Sequence, residues 1–182
     1  MLKMAIHCVL FMLLSSSVSY GQSREQTAAF IEGGGIVDVG QMKQIDDRSI
    51  SVPAGRLIGG MFRTTPATTL ETVDKDNCIF QVTIPELPGQ AAKYYFGNVI
   101  VDEINIQRQA TVNPAVQQYF WLMKLTGEKE VYCGVNGLGT ESGCRTYVGV
   151  VIWDEDAVRR VQKAIQYLYS TYCTAAKRKN AF

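Results

Sequence analysis

An α+β fold, an antiparallel sheet of about five to seven strands with one C-terminal amphipathic helix packed on it, follows from three features of the sequence. Cys78, Phe80, Val82 and Ile84 alternate with Ile79, Gln81 and Thr83, the period of two of a strand with one apolar face. Val158, Val161, Ile165, Leu168 and Tyr172 instead recur at spacings of three and four, a stripe along one side of a helix. Turn-forming residues break the β-rich part at short intervals, as in Asp74-Lys75-Asp76-Asn77 and at Pro85 and Pro88.

The elements can be justified in chain order. Lys3 precedes an apolar run from Met4 to Leu14 and then small, hydroxylated residues from Ser15 to Ser19. That order predicts a cleaved export signal over 1–21, with the cut before Gln22. The run is too short for the roughly 20 apolar residues that span a bilayer, so no stable membrane anchor is expected after cleavage. Residues 22–54 read as a loosely ordered N-terminal segment, expected either to pack as an edge or to stay mobile. A short helix in SREQTAAFIE would end at Gly33-Gly34-Gly35, since glycine costs about 1 kcal/mol per helical position against alanine.

Residues 55–182 are expected to form a single α+β domain. Thr69–Val73 should pair with the Cys78–Ile84 strand across the Asp74–Asn77 turn. Tyr94–Gln107 reads as a longer β-rich stretch, with Tyr94, Phe96, Ile100, Ile104 and Ile106 on one parity. Tyr119, Trp121, Met123 and Leu125 define the next strand, and Val131–Cys133 and Thr146–Trp153 complete the sheet. Asp154, Glu155 and Asp156 begin the helix, where acids and capping oxygens satisfy free amides. Lys177-Arg178-Lys179 follow its other end, where cations are favoured.

Cleavage of the leader would change the chemistry available. It removes His7, the only histidine, and Cys8. Taking Lys3 from the 18 cations leaves 17 against 17 acids, a net charge of zero. No field of one sign then steers the chain to nucleic acid, and no nucleic-acid partner is expected. The remaining cysteines are Cys78, Cys133, Cys144 and Cys173, an even set that argues for disulfides in an exported chain. Cys133 and Cys144 bracket a glycine-rich loop, GVNGLGTESG, that can close cheaply. Four cysteines allow three pairings; this one is favoured, and it leaves Cys78 with Cys173, joining a central strand to the end of the helix. With no C-x-x-C pair and no histidine, no metal ligands or cofactors are assigned.

The ending RVQKAIQYLYSTYCTAAKRKNAF, a helix closing in Tyr-x-x-Tyr-Cys with a short basic tail, resembles the C-terminus of small exported proteins of rhizobia and related alphaproteobacteria. The resemblance implies a bacterial periplasm and nothing about activity.

A histidine-free chain cannot run a Ser-His-Asp triad or a Cys-His pair. Carboxylates remain, and Asp102 shares the parity of Ile100 and Ile104, which would force it onto an apolar face with a raised pKa unless the strand twists or bulges there and exposes both acids, or pairs them with Lys93 or Arg108. Adjacent strand residues point to opposite faces, so Asp102 and Glu103 cannot easily flank one bond. A hydrolase of envelope polymers using Asp102, Glu103 or Glu128 is therefore the second reading, and no catalytic residue is assigned. Gly134–Gly143 has the order G-x-x-G-x-G but lacks the G-K-[ST] ending of a phosphate loop. The first reading is a non-catalytic binding module with a protein partner. Its candidate contact residues are Asn136 and Leu138 in the disulfide-closed loop, and Tyr95 and Trp121 on an aromatic sheet face.

Overall fold

The computed structural model describes residues 23–54, 67–87, 89–110 and 119–173. The leader and the basic tail lie outside them. In order the elements are α1 (Arg24–Glu32), β1 (Lys43–Gln44), β2 (Ser49–Val52), β3 (Thr68–Asp74), β4 (Ile79–Thr83), β5 (Ala91–Tyr95), β6 (Asn105–Ala110), β7 (Tyr119–Thr126), β8 (Tyr132–Val135), β9 (Glu141–Arg145), β10 (Tyr147–Ile152) and α2 (Glu155–Thr171). The fold is α+β, as expected, but there are two antiparallel sheets. Seven strands run in the order β1-β2-β3-β4-β5-β8-β9, and three form β10-β7-β6.

The segment expected to be loosely ordered is an integral edge of this structure. Ser23 caps α1 by accepting from the Gln26 amide at 3.1 Å, while the Gln26 side chain accepts from the Ser23 amide at 3.0 Å. This reciprocal pair satisfies two otherwise free amides. Ala28, Ile31, Ile50 and Val52 from this segment share one core with Phe80, Leu125 and Leu168. Burying those side chains is worth roughly 1.5–3 kcal/mol for each large one, enough to fix an edge that is mostly polar in sequence. Glu25 is also buried, and the Thr72 hydroxyl donates to its carboxylate at 2.5 Å, which ties α1 to β3.

The β3–β4 hairpin forms where its turn residues predict. The Asp74 carboxylate accepts from the amides of Asp76 and Asn77 and from the Asn77 side chain, at 2.8–3.0 Å. Cys78 ends the turn in the left-handed region, with φ 52°. Across the sheet, Ile50, Leu70 and Val82 are in register, as are Thr72, Phe80 and Tyr94. Period two therefore gives one apolar face, covered by α1.

The stretch from Tyr94 to Gln107 is not one strand. After Tyr95 the chain makes 3-10 turns at Phe96–Asn98 and Val101–Glu103 before β6 begins. Phe96 and Val99 are buried at this crossing, and the Asn98 side chain donates to the Glu130 carbonyl at 2.7 Å. The chain leaves one sheet here and enters the other, so the single parity assumed from sequence does not persist.

α2 starts at Asp154, whose side chain accepts from the Asp156 amide at 3.1 Å. The stripe Val158, Val161, Ile165 and Leu168 is buried, with Ala157 and Ala164 completing the face. The helix packs against α1 and against β7 and β10 of the smaller sheet. Its last turn is fastened to the larger sheet by a disulfide between Cys78 and Cys173, and the second disulfide joins Cys133 to Cys144.

Candidate functional site

The loop between Cys133 and Cys144 is a β-hairpin made by β8 and β9. Sequence shows no strand in Glu141–Arg145, because all five residues are exposed and no apolar alternation marks them. Pairing with β8 and the disulfide impose the extended backbone instead. At the tip, the Asn136 side-chain oxygen accepts from the amides of Leu138 and Thr140, at 3.0 and 2.9 Å. The Asn136 amide and the Thr140 carbonyl add a 3.0 Å bond, and Gly139 takes φ 77°. Leu138 stands on this fixed turn with 91% of its surface exposed. Asn136 and Leu138 are thus brought together, one as the brace and the other as the projecting group.

Tyr95 and Trp121 belong to different sheets, Tyr95 on β5 of the larger and Trp121 on β7 of the smaller. Tyr95 lies on the face of the larger sheet away from α1, beside Lys93 and Glu141. Lys93 Nζ and the Glu141 carboxylate are 2.7 Å apart, and that bond, then one from Tyr95, holds the Glu141 carboxyl below its usual range. Burial and the Glu141 contact push the Tyr95 hydroxyl pKa upward. Thr69, Glu71, Gln81 and Thr83 share this face, so it is largely polar and not the aromatic surface expected from Tyr94-Tyr95-Phe96. Trp121 is half-buried on β7 in the smaller sheet, with the Arg108 guanidinium 5.7 Å from its ring centroid and 4.2 Å from that of Tyr119.

Asp102 and Glu103 occupy an exposed 3-10 turn, the outcome in which the strand breaks and both acids reach solvent. Glu128 is exposed as well. Glu141 lies within 4.8 Å of both Cys133 and Cys144 sulfurs, but those sulfurs are bonded to each other and offer no thiolate.

The acid that does meet apolar surroundings is Glu32, which the sequence reading passed over. It ends α1 and lines a cavity of about 520 Å³ between the inner face of the larger sheet and β10. Aliphatic walls come from Val37, Val52, Val82 and Val151, and aromatic ones from Tyr94, Tyr132 and Trp153. Glu32 is the one charged residue among those described that line it. Burial raises its carboxyl pKa above the ordinary 4.5, and a hydrogen bond from the Tyr94 hydroxyl offsets part of that rise. Tyr94 is itself braced, its ring 5.5 Å from Tyr132 and 5.8 Å from Phe96. One signal for Glu32 existed in the sequence: an acid in the last turn opposes the helix dipole, which favours cations there.

Gly33-Gly34-Gly35 brings the turn that follows α1 close against β10. A Cβ on Gly34, whose φ is 64°, would lie 2.2 Å from the Val151 carbonyl oxygen.

The raised pKa fixes a direction for stability. The folded state holds the proton on Glu32 more tightly than the unfolded chain. The resulting stabilisation is full below the unfolded value and is lost as pH rises through the higher folded value. Urea unfolding of wild type and Glu32→Gln at roughly pH 4 and pH 8 should therefore show wild type losing stability relative to the variant at the higher pH. A difference independent of pH would contradict the burial of this carboxyl.

No protein-family model, curated protein or solved structure matches the chain. No helix among the described residues is long and apolar enough to cross a membrane.

Proposed function

We propose that this is an exported, periplasmic binding module that docks a protein partner through the Leu138 hairpin. The observation that carries the reading is one leucine, 91% exposed, on a turn braced by Asn136 and closed by Cys133–Cys144. An exposed leucine gains roughly 1.5–3 kcal/mol on burial in a partner's pocket. A rigid tip loses little conformational entropy on binding, so most of that gain reaches the affinity. The leader, the two disulfides and the C-terminal resemblance support export to an oxidising compartment. The polar outer sheet face favours the hairpin as the contact. The hydrolase reading draws no support from Asp102 and Glu103, which are exposed, and a single acid in the cleft supplies no second carboxylate.

Leu138→Asp, expressed with its leader, tests this. It should leave thermal stability within about 0.5 kcal/mol, since exposed substitutions rarely do more. It should weaken a purified partner, first identified by cross-linking in periplasmic extract, by roughly tenfold or more, as expected for a central apolar anchor. If every cross-linked protein binds wild type and variant equally, the hairpin is not the docking element.

A further inference from the structure

The cleft around Glu32 touches the hairpin strand β8 at Tyr132 but does not include Asn136 or Leu138, and it has its own chemistry. Its volume, about 520 Å³, falls within the usual range of small-molecule sites, and its walls are mostly apolar. A carboxyl there is costly unless something pairs with it. Among the described residues Glu32 makes no salt bridge, and it is half-buried in the cleft that Tyr94 also lines. Three aromatic rings, Tyr94, Tyr132 and Trp153, line the same space.

We propose that this cleft binds an organic cation, an alkylammonium group on an apolar body, with the ammonium against Glu32 and the body along Val82, Val151 and Trp153. Charge complementarity selects this occupant. An ammonium supplies the positive charge that the described walls lack, and aromatic faces attract cations through their quadrupoles. A carboxylate ligand would meet a like charge in a poorly solvated site. A neutral alcohol would fill the same volume and leave the carboxylate without a counter-charge. The bond from Tyr94 leaves the carboxylate further acceptor sites, because two oxygens offer about four lone-pair positions.

The test compares three probes of equal length, hexylamine, hexanol and hexanoate, on the disulfide-intact protein. Trp153 fluorescence and calorimetry report binding. Hexylamine should bind about tenfold or more tightly than hexanol, and hexanoate weakest, since charge-assisted contacts are roughly twice as strong as neutral ones. Glu32→Gln should bring hexylamine down to the hexanol level while hexanol binding persists. Tyr94→Phe should keep the amine preference, because it leaves the carboxylate in place. Hexylamine binding no better than hexanol in wild type overturns the proposal whether or not the Glu32 variant folds. So does a preference that survives Glu32→Gln, or a cleft that takes none of the three probes. None of these outcomes bears on the Leu138 docking reading, which the hairpin variant tests alone.

Discussion

Replacing Cys78 and Cys173 together by alanine is expected to cost about 5 kcal/mol. The bond closes a separation of 95 residues, and the chain-entropy estimate for a loop of that size approaches 5 kcal/mol. Both cysteines are fully buried, so truncation also leaves unfilled space. The same change at Cys133 and Cys144, separated by 11 residues, should cost about 3 kcal/mol, because less of the unfolded chain is constrained. Single domains are commonly stable by only about 5–15 kcal/mol, so losing the long-range bond takes a large share. Urea unfolding without reductant measures both. The left-handed backbone at Cys78 supplies an internal control. Cys78→Gly with Cys173→Ala should be less damaging than the double alanine by about 1 kcal/mol, since glycine adopts that conformation freely. Equal costs for the two disulfides would refute the ordering.

Gly34→Ala is expected to be the most damaging single-methyl addition in the turn that follows α1 and packs against β10. At φ 64° an L side chain pays roughly 1–2 kcal/mol. Its Cβ would also sit 2.2 Å from the Val151 carbonyl oxygen, a backbone atom that cannot turn aside. Displacing a packed element typically costs a further 1–3 kcal/mol, giving about 2–5 kcal/mol in all. Gly33→Ala provides the contrast. Its Cβ would meet the Val37 side chain at 2.4 Å, but a side chain can rotate and the backbone there is ordinary. That variant should lose about 1–2 kcal/mol. Because Val151 and Glu32 both line the cleft, Gly34→Ala should also shift Trp153 fluorescence in the folded state, whereas Gly33→Ala should do so less. Similar stability for the two variants would mean that the helix–strand approach is not tight.

The candidate contact residues were legible in unequal measure, for identifiable reasons. Asn136 and Leu138 lie between two cysteines in a glycine-rich segment, and local chemistry alone marks such a segment as a closed loop. Tyr95 and Trp121 stand in aromatic runs, and a run does not say which face a neighbouring helix covers. Tyr94 turned inward against Tyr132, while Tyr95 turned outward to Glu141. Asp102 illustrates the same difficulty. Its parity with Ile100 and Ile104 had meaning only within an uninterrupted strand, and the crossing between sheets broke that strand. Glu32 depended on long-range packing from the outset, because its apolar surroundings come from residues 37 to 153 in sequence.

By itself, then, the sequence determined the α+β class, the β3–β4 hairpin and the buried stripe of α2, and among three possible cysteine pairings it favoured the one the structure shows. Each of these rests on short periodicities, turn chemistry or the arithmetic of a few residues. The tertiary structure alone decided that the strands divide into two sheets, that residues 23–54 form an edge of the core, and that Glu32 faces an apolar cleft. Those outcomes depend on which surfaces meet. Burial of Ala28, Ile31, Ile50 and Val52 is a property of the assembled layers and is not encoded in their immediate neighbours.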